Sequence, residues 1–82
     1  MSKELNDLKT KFENEIPNII RNINKTDNEQ GEKILKVEFK SFYNNSKKIG
    51  NVIDEYESET GLVVRQTGRE VKDAYYTIYY QI

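Results

Sequence analysis

The stretch Ala74-Tyr75-Tyr76-Thr77-Ile78-Tyr79-Tyr80-Gln81-Ile82 decides how the rest of the chain must be arranged. It carries no charge, no Gly and no Pro, and consists almost wholly of aromatic and β-branched residues, the types enriched in strands. Read with a period of two, Tyr76, Ile78, Tyr80 and Ile82 fall on one face, and Tyr75, Thr77, Tyr79 and Gln81 on the other. The first is a core face. The second holds two large rings, so the strand is either covered on both sides or covered once and used for binding on the other. An uncharged β-prone run also pairs with copies of itself; Lys72 and Asp73 stand before it as flanking charges that restrain this.

Working outward toward the N-terminus, Thr67-Gly68 reads as a turn and Leu62 to Gln66 as a short strand. Thr60-Gly61 reads as a tight hairpin turn, with Gly supplying the positive φ. Residues 51–58 alternate poorly, since Val52 and Tyr56 share a face with Asp54, and Ile53 shares one with Glu55 and Glu57. An edge strand or a bulged strand is the expectation there. Asn44-Asn45-Ser46 begins a turn that runs to about Gly50. Upstream of it, Leu35, Val37 and Phe39 alternate with Lys36, Glu38, Lys40 and Phe42, the pattern of a half-buried strand. Residues 24–31 form a polar loop closing on Gly31.

Residues 2–24 carry Leu5, Leu8, Phe12, Ile16, Ile19, Ile20 and Ile23 at three- and four-residue steps, the stripe of an amphipathic helix. Ser2 suits the N-cap, and Glu4 and Asp7 suit the positive end of the helix dipole. Pro17 either kinks this helix or splits it near Ile16, restarting at the first helical position. The stripe runs in phase across Pro17, which favours one kinked helix. Strands joined by short turns normally pair as neighbours. The expected fold is therefore a single α+β domain over residues 1–82: a kinked N-terminal helix (about 2–24), a polar loop (24–31) and a four-stranded antiparallel meander sheet (about 32–82), in two layers. This element order is similar to the cystatin-like arrangement; the resemblance is one of order alone and implies no functional residue.

Composition narrows the chemistry. The chain has no Cys and no His, so neither a disulfide nor a thiolate metal site stabilises it, and the commonest acid–base side chain near neutral pH is missing. The four glycines stand singly, which leaves no phosphate-cradling loop. We expect no enzyme, no catalytic residue, no cofactor and no metal site. A net charge of −1 gives no overall pull toward nucleic acid or membrane, and no apolar run reaches the ~20 residues of a membrane span. With no apolar signal core at the start, a cytoplasmic location is the expectation, and the Asn-, Lys- and Ile-rich usage suits a low-GC phage or mobile element.

Two sets of residues are candidate sites. Tyr75 and Tyr79, with Lys36, Lys40 and Phe42 from the first strand, would form an aromatic and cationic sheet surface. Such a surface fits a protein partner, because Tyr offers large contact area at low entropic cost. It also fits single-stranded nucleic acid, with bases stacked on rings and phosphates held by Lys, although nucleic acid is disfavoured by the net charge. The bland alternative is that the rings only flank the sheet or pack in a homodimer. Asp54, Glu55, Glu57 and Glu59 form a second, acidic patch, set against five Lys and two Glu in residues 32–50. It is expected to make cross-strand ion pairs, and its spacing does not suit a calcium loop. The expected function is a small protein-binding antagonist, an inhibitor or immunity-type factor with one protein partner. The rivals are a homo-oligomeric subunit and a nucleic-acid-binding sheet.

Overall fold

Pro17 divides what the apolar stripe presents as one helix. The structure, a computed structural model, describes residues 2–40, 42–72 and 75–82, and the side chains of all of these except 2 and 42–44. Helix α1 spans Ser2–Glu15. Ile16 has left the helical region (φ −135°, ψ 47°), as residues before proline tend to, and Pro17–Ile19 form one 3-10 turn. The chain then continues as strand β1, Ile20–Asp27. The kinked helix expected over 2–24 is thus a helix, a turn and a strand. The pyrrolidine ring removes a backbone donor and clashes with the preceding turn, and the β-branched residues beyond it suit a strand. Ile16, Ile19, Ile20 and Ile23 still pack against the core. The Ser2 side chain, expected as N-cap, lies outside the described residues, as do Asp73 and Ala74.

β1 pairs with β2 (Lys33–Lys40) around a short turn. Asn28 Oδ1 accepts hydrogen bonds from the Gln30 and Glu32 amides at 2.9 and 2.8 Å, and Gly31 takes a positive φ of 78°. Residues 24–27 of the expected loop therefore belong to a strand.

Helix α2, Phe42–Thr60, occupies the segment expected to hold a turn at 44–50 and a strand at 51–58. Ile49, Val52, Ile53 and Tyr56 recur at helical steps, and three of them are buried with the core. Thr60-Gly61 is the helix end rather than a hairpin turn. Gly61 sits at φ 72° and its amide donates to the Glu57 carbonyl at 2.8 Å, a left-handed C-terminal cap. The Val64 amide donates to the Glu57 carboxylate at 2.8 Å and fixes the departing chain. Strands β3 (Arg65–Lys72) and β4 (Tyr75–Gln81) follow, and Thr67-Gly68 is a bulge inside β3, not a turn.

The sheet order is β1-β2-β4-β3 with every pair antiparallel. The tyrosine strand is therefore central. The expected meander is broken because α2 carries the chain to the far edge before β4 returns beside β2. Both helices contribute to a core on one face of the sheet, giving an α+β slab of 30 × 29 × 16 Å, thin enough for two layers only. Its order, helix-strand-strand twice over, differs from the one-helix, four-strand order of the cystatin-like arrangement.

The two helix-strand-strand halves correspond closely. Leu5, Leu8 and Phe12 of α1 match Ile49, Val52 and Tyr56 of α2 in spacing and burial. Leu35, Val37 and Phe39 of β2 match Tyr76, Ile78 and Tyr80 of β4. The central pair has the register of a two-fold axis through Val37 and Ile78, because Leu35 faces Tyr80 and Phe39 faces Tyr76. Each outer strand bulges at the same place: β1 between Ile20 and Asn22, opposite Phe39 and Glu38; β3 between Gln66 and Gly68, opposite Tyr80 and Tyr79. In the helix layer Lys11 forms an ion pair at 3.3 Å with Glu55, its own counterpart, as expected for positions near such an axis. Phe12 sits at the centre of the core, fully buried, with its ring 5.7 Å from Phe39 and 5.6 Å from Tyr80.

Candidate functional site

Alternation along β2 and β4 sends Leu35, Val37, Phe39, Ile78 and Tyr80 into the core and therefore Lys36, Glu38, Lys40, Thr77 and Tyr79 to the opposite face. Among the described residues nothing covers that outer face. The register sets its side chains in rows across the strands. One row runs Asn22, Glu38, Thr77, Glu70; a second runs Asn24, Lys36, Tyr79, Gly68; a third holds Lys40, Tyr75 and Lys72. Lys36 thus stands directly opposite Tyr79, and Lys40 opposite Tyr75. Four of the five residues that the sequence proposed for a common surface are brought together. Phe42, the fifth, is the first residue of α2 rather than an outer-face residue of β2, and its side chain lies outside the described residues.

The two rings reach in opposite directions. Tyr75 extends across β2 to the β1 bulge, where the Arg21 guanidinium lies 4.1 Å from its ring centroid. Arg21 is fixed there by a 2.7 Å ion pair with Glu38, which also raises its pKa. Tyr79 leans across β3. Its Cδ2 lies 3.4 Å from where a Gly68 Cβ would stand, so the glycine leaves room for the ring on the strand. Its hydroxyl donates to Glu70 Oε1 at 3.3 Å. Burial, and then the Glu70 carboxylate, push the Tyr79 phenol above its ordinary pKa. Both rings are half-buried on a face that is otherwise open. Around Thr77 lies a depression of about 400 Å³ lined by Arg21, Lys36, Lys72 and Tyr75 and by the carboxylates Glu38 and Glu70.

Asp54, Glu55, Glu57 and Glu59 do not form the expected cross-strand patch, because they lie on α2. Lys11 of α1, with a side chain only 13% exposed, pairs with Glu15 at 2.6 Å, Glu59 at 3.1 Å and Glu55 at 3.3 Å. These hydrogen bonds, that with Glu15 foremost, hold its pKa above the ordinary lysine value. Glu57 caps the Val64 amide. Asp54 borders a cleft of about 260 Å³ between α2 and β3. Among the described residues no group of three or more metal-ligating side chains is gathered.

Arg21, Gly68, Glu70 and Lys72 also belong to the outer face without having been expected there; Glu38 and Thr77 were placed on it by alternation but were not among the candidate binding residues. Arg21 lies within the segment expected as helix (2–24), and only a break at Pro17 places it on a strand. For β3, the alternation of Gly68, Glu70 and Lys72 is a usable signal once Thr67-Gly68 is taken as a bulge. The chain significantly matches no family model, no curated protein and no solved structure.

Proposed function

We propose that this chain is a small, non-enzymatic protein-binding protein, a stand-alone inhibitor or immunity-type antagonist that docks through the outer face of its sheet. One observation carries the reading. Both helices lie on the other side, so a central strand presents Tyr75 and Tyr79 on an open face whose net charge differs in sign from that of the helix layer. On the sheet face Arg21, Lys36, Lys40 and Lys72 stand against Glu38 and Glu70. On α2 the charges after Lys48 are all acidic, Asp54, Glu55, Glu57 and Glu59. Such rings make cross-strand and cation contacts within the sheet, and an interface also uses half-buried rings on an open face as anchors.

The experiment is affinity capture with an N-terminal tag, since the C-terminus is built into the sheet, run with and without nuclease. Capture is repeated with Tyr75→Ser/Tyr79→Ser after circular dichroism has shown that this variant is folded. The expected result is one stoichiometric protein that survives nuclease, is lost with the tyrosine variant, and rebinds as a purified partner in titration. A partner retained by the variant, recovery of bait oligomers alone, or loss of all material on nuclease treatment would each overturn the reading.

A further inference from the structure

We infer that the surface recognised by the outer sheet face is rich in carboxylates, with Lys36, Lys40 and Lys72 as the cations that read it. This rests on the docking reading above and names the chemistry of the partner at that same face.

In the helix layer Lys11 is bound by three glutamates and Lys9 pairs with Glu13 at 3.6 Å; at the β1–β2 turn Lys33 pairs with Asp27 at 2.8 Å. On the outer face Arg21 is held by Glu38 and Tyr75, and Glu70 accepts the Tyr79 hydroxyl. Lys36, Lys40 and Lys72 make no ion pair among the described residues, although Lys36 is half-buried on the sheet. An incoming cation would meet carboxylates that already have partners. An incoming anion would meet ammonium groups that have no ion-pair partner among the described residues, Lys36 and Lys72 lining the depression around Thr77 and Lys40 standing in the row of Tyr75.

The arrangement also favours carboxylates on a protein over a phosphate backbone. The middle row carries Glu38 and Glu70 on either side of Thr77, between the two lysine-bearing rows. A nucleic-acid strand spaces its charges evenly and would have to cross that row. Discrete acidic side chains on a folded partner can be set to either side of it, over Lys36 and over Lys40 and Lys72. Charge complementarity of this kind raises the association rate and sets the orientation in which Tyr75 and Tyr79 dock.

The test measures fluorescence anisotropy of the full chain with three labelled probes: an oligoglutamate peptide, an oligothymidylate of equal charge, and an oligolysine. The expected result is binding of the oligoglutamate, weakened by about tenfold between low and physiological salt as surface charges are screened. The Lys36→Ala/Lys40→Ala/Lys72→Ala variant should abolish it, and oligolysine should not bind. Tighter, lysine-dependent binding of oligothymidylate would overturn the inference in favour of a phosphodiester ligand. No oligoglutamate binding, or binding indifferent to the three lysines, would also overturn it. Where the captured partner is in hand, the two readings separate. A complex that needs Tyr75 and Tyr79 but ignores salt and the three lysines removes only the carboxylate chemistry; a complex that ignores both sets removes the sheet face itself.

Discussion

The α1-β1-β2 half and the α2-β3-β4 half of the molecule agree where they face the core and diverge where they do not. On the inside, Leu5, Leu8 and Phe12 answer to Ile49, Val52 and Tyr56, and Leu35, Val37 and Phe39 to Tyr76, Ile78 and Tyr80. On the outside, the two-fold correspondence that equates Val37 with Ile78 equates Lys36 with Thr77 and Glu38 with Tyr79. The charges of one half stand where the other half has a hydroxyl and a ring. Core packing fixes volume and polarity at inner positions, since a void or a buried polar group there costs kilocalories. The outer face has no such constraint from folding, so its composition reports what the face does. The outer strands diverge as well. Ile20 and Ile23 of β1 pack on the core, whereas their counterparts Gln66 and Arg69 in β3 are exposed, and the cleft between α2 and β3 is left open. The second half is the less completely covered one.

The largest way to break the comparison is in the core. Phe12→Ala should cost about 3–5 kcal/mol, because it removes contacts with both Phe39 and Tyr80 and leaves a cavity between the layers. Chemical denaturation reads this directly, and a loss below ~1 kcal/mol would show that the first half does not anchor the core. An exchange at counterpart positions sharpens the asymmetry. Ile23→Arg should destabilise by about 1–3 kcal/mol, since it replaces core-packed apolar surface with a charge. Arg69→Ile should leave stability within about 0.5 kcal/mol, because nothing covers that position. Equal effects of the two substitutions would mean that the halves are covered alike.

This asymmetry also explains which parts of the fold were legible in the sequence. The tyrosine strand and β2 were, because a central strand covered on one side alternates cleanly and the alternation names its faces. Those faces put Tyr75, Tyr79, Lys36 and Lys40 on one side of the sheet, but the expected meander would hold the two strands apart, and only the order β1-β2-β4-β3 makes them neighbours. The segments on either side of Pro17 were not, because Ile16, Ile19, Ile20 and Ile23 suit a helical stripe as well as a turn followed by a bulged strand. Helix α2 is masked in residues 51–58 by an imperfect alternation, although Ile49, Val52 and Tyr56 repeat the helical steps of Leu5, Leu8 and Phe12 and carry the signal both of the helix and of the correspondence between the halves. The outer-face residues of β3 were obscured by a bulge that reads as a turn, since Gly68 serves either equally well. Arg21 depends on tertiary contacts with Glu38 and Tyr75 that no local pattern encodes.

A smaller effect is expected where the outer faces differ at the bulges. Gly68 of β3 answers to Asn22 of β1, and only the glycine side carries a ring laid across the strand. Gly68→Asn should shift global stability by no more than about 1 kcal/mol, because the gain in backbone order opposes the displacement of the ring. It should nonetheless lift Tyr79 from the strand and weaken the bond to Glu70. The readout is the tyrosinate absorbance titration, in which the Tyr79 step should move down toward its ordinary position near pH ~10. An unmoved step would mean that the strand does not hold the ring.

The alkaline limb of stability gives the finest comparison. Burial raises the phenol pKa of Tyr56, Tyr79 and Tyr80 in the folded chain, and neighbouring carboxylates add to this at Tyr56 and Tyr79. A folded pKa above the unfolded one means that the folded state holds its proton longer. The contribution to stability is therefore complete below the unfolded pKa of about 10 and is lost as pH rises through the folded values. All three residues belong to the α2-β3-β4 half; their counterparts in the first half are Phe12, Glu38 and Phe39, which have no phenol to titrate. Denaturation midpoints should accordingly stay level through neutral pH and fall above about pH 10. Of the three, Tyr56 donates its hydroxyl to the Glu4 carbonyl at 2.8 Å, which ties α2 to α1. Tyr56→Phe should lower stability by about 0.5–1.5 kcal/mol at neutral pH and flatten part of the alkaline fall. An alkaline limb unchanged in Tyr56→Phe would leave that sensitivity to Tyr79 and Tyr80 of β4 and to Lys11 of α1, whose pKa is also raised.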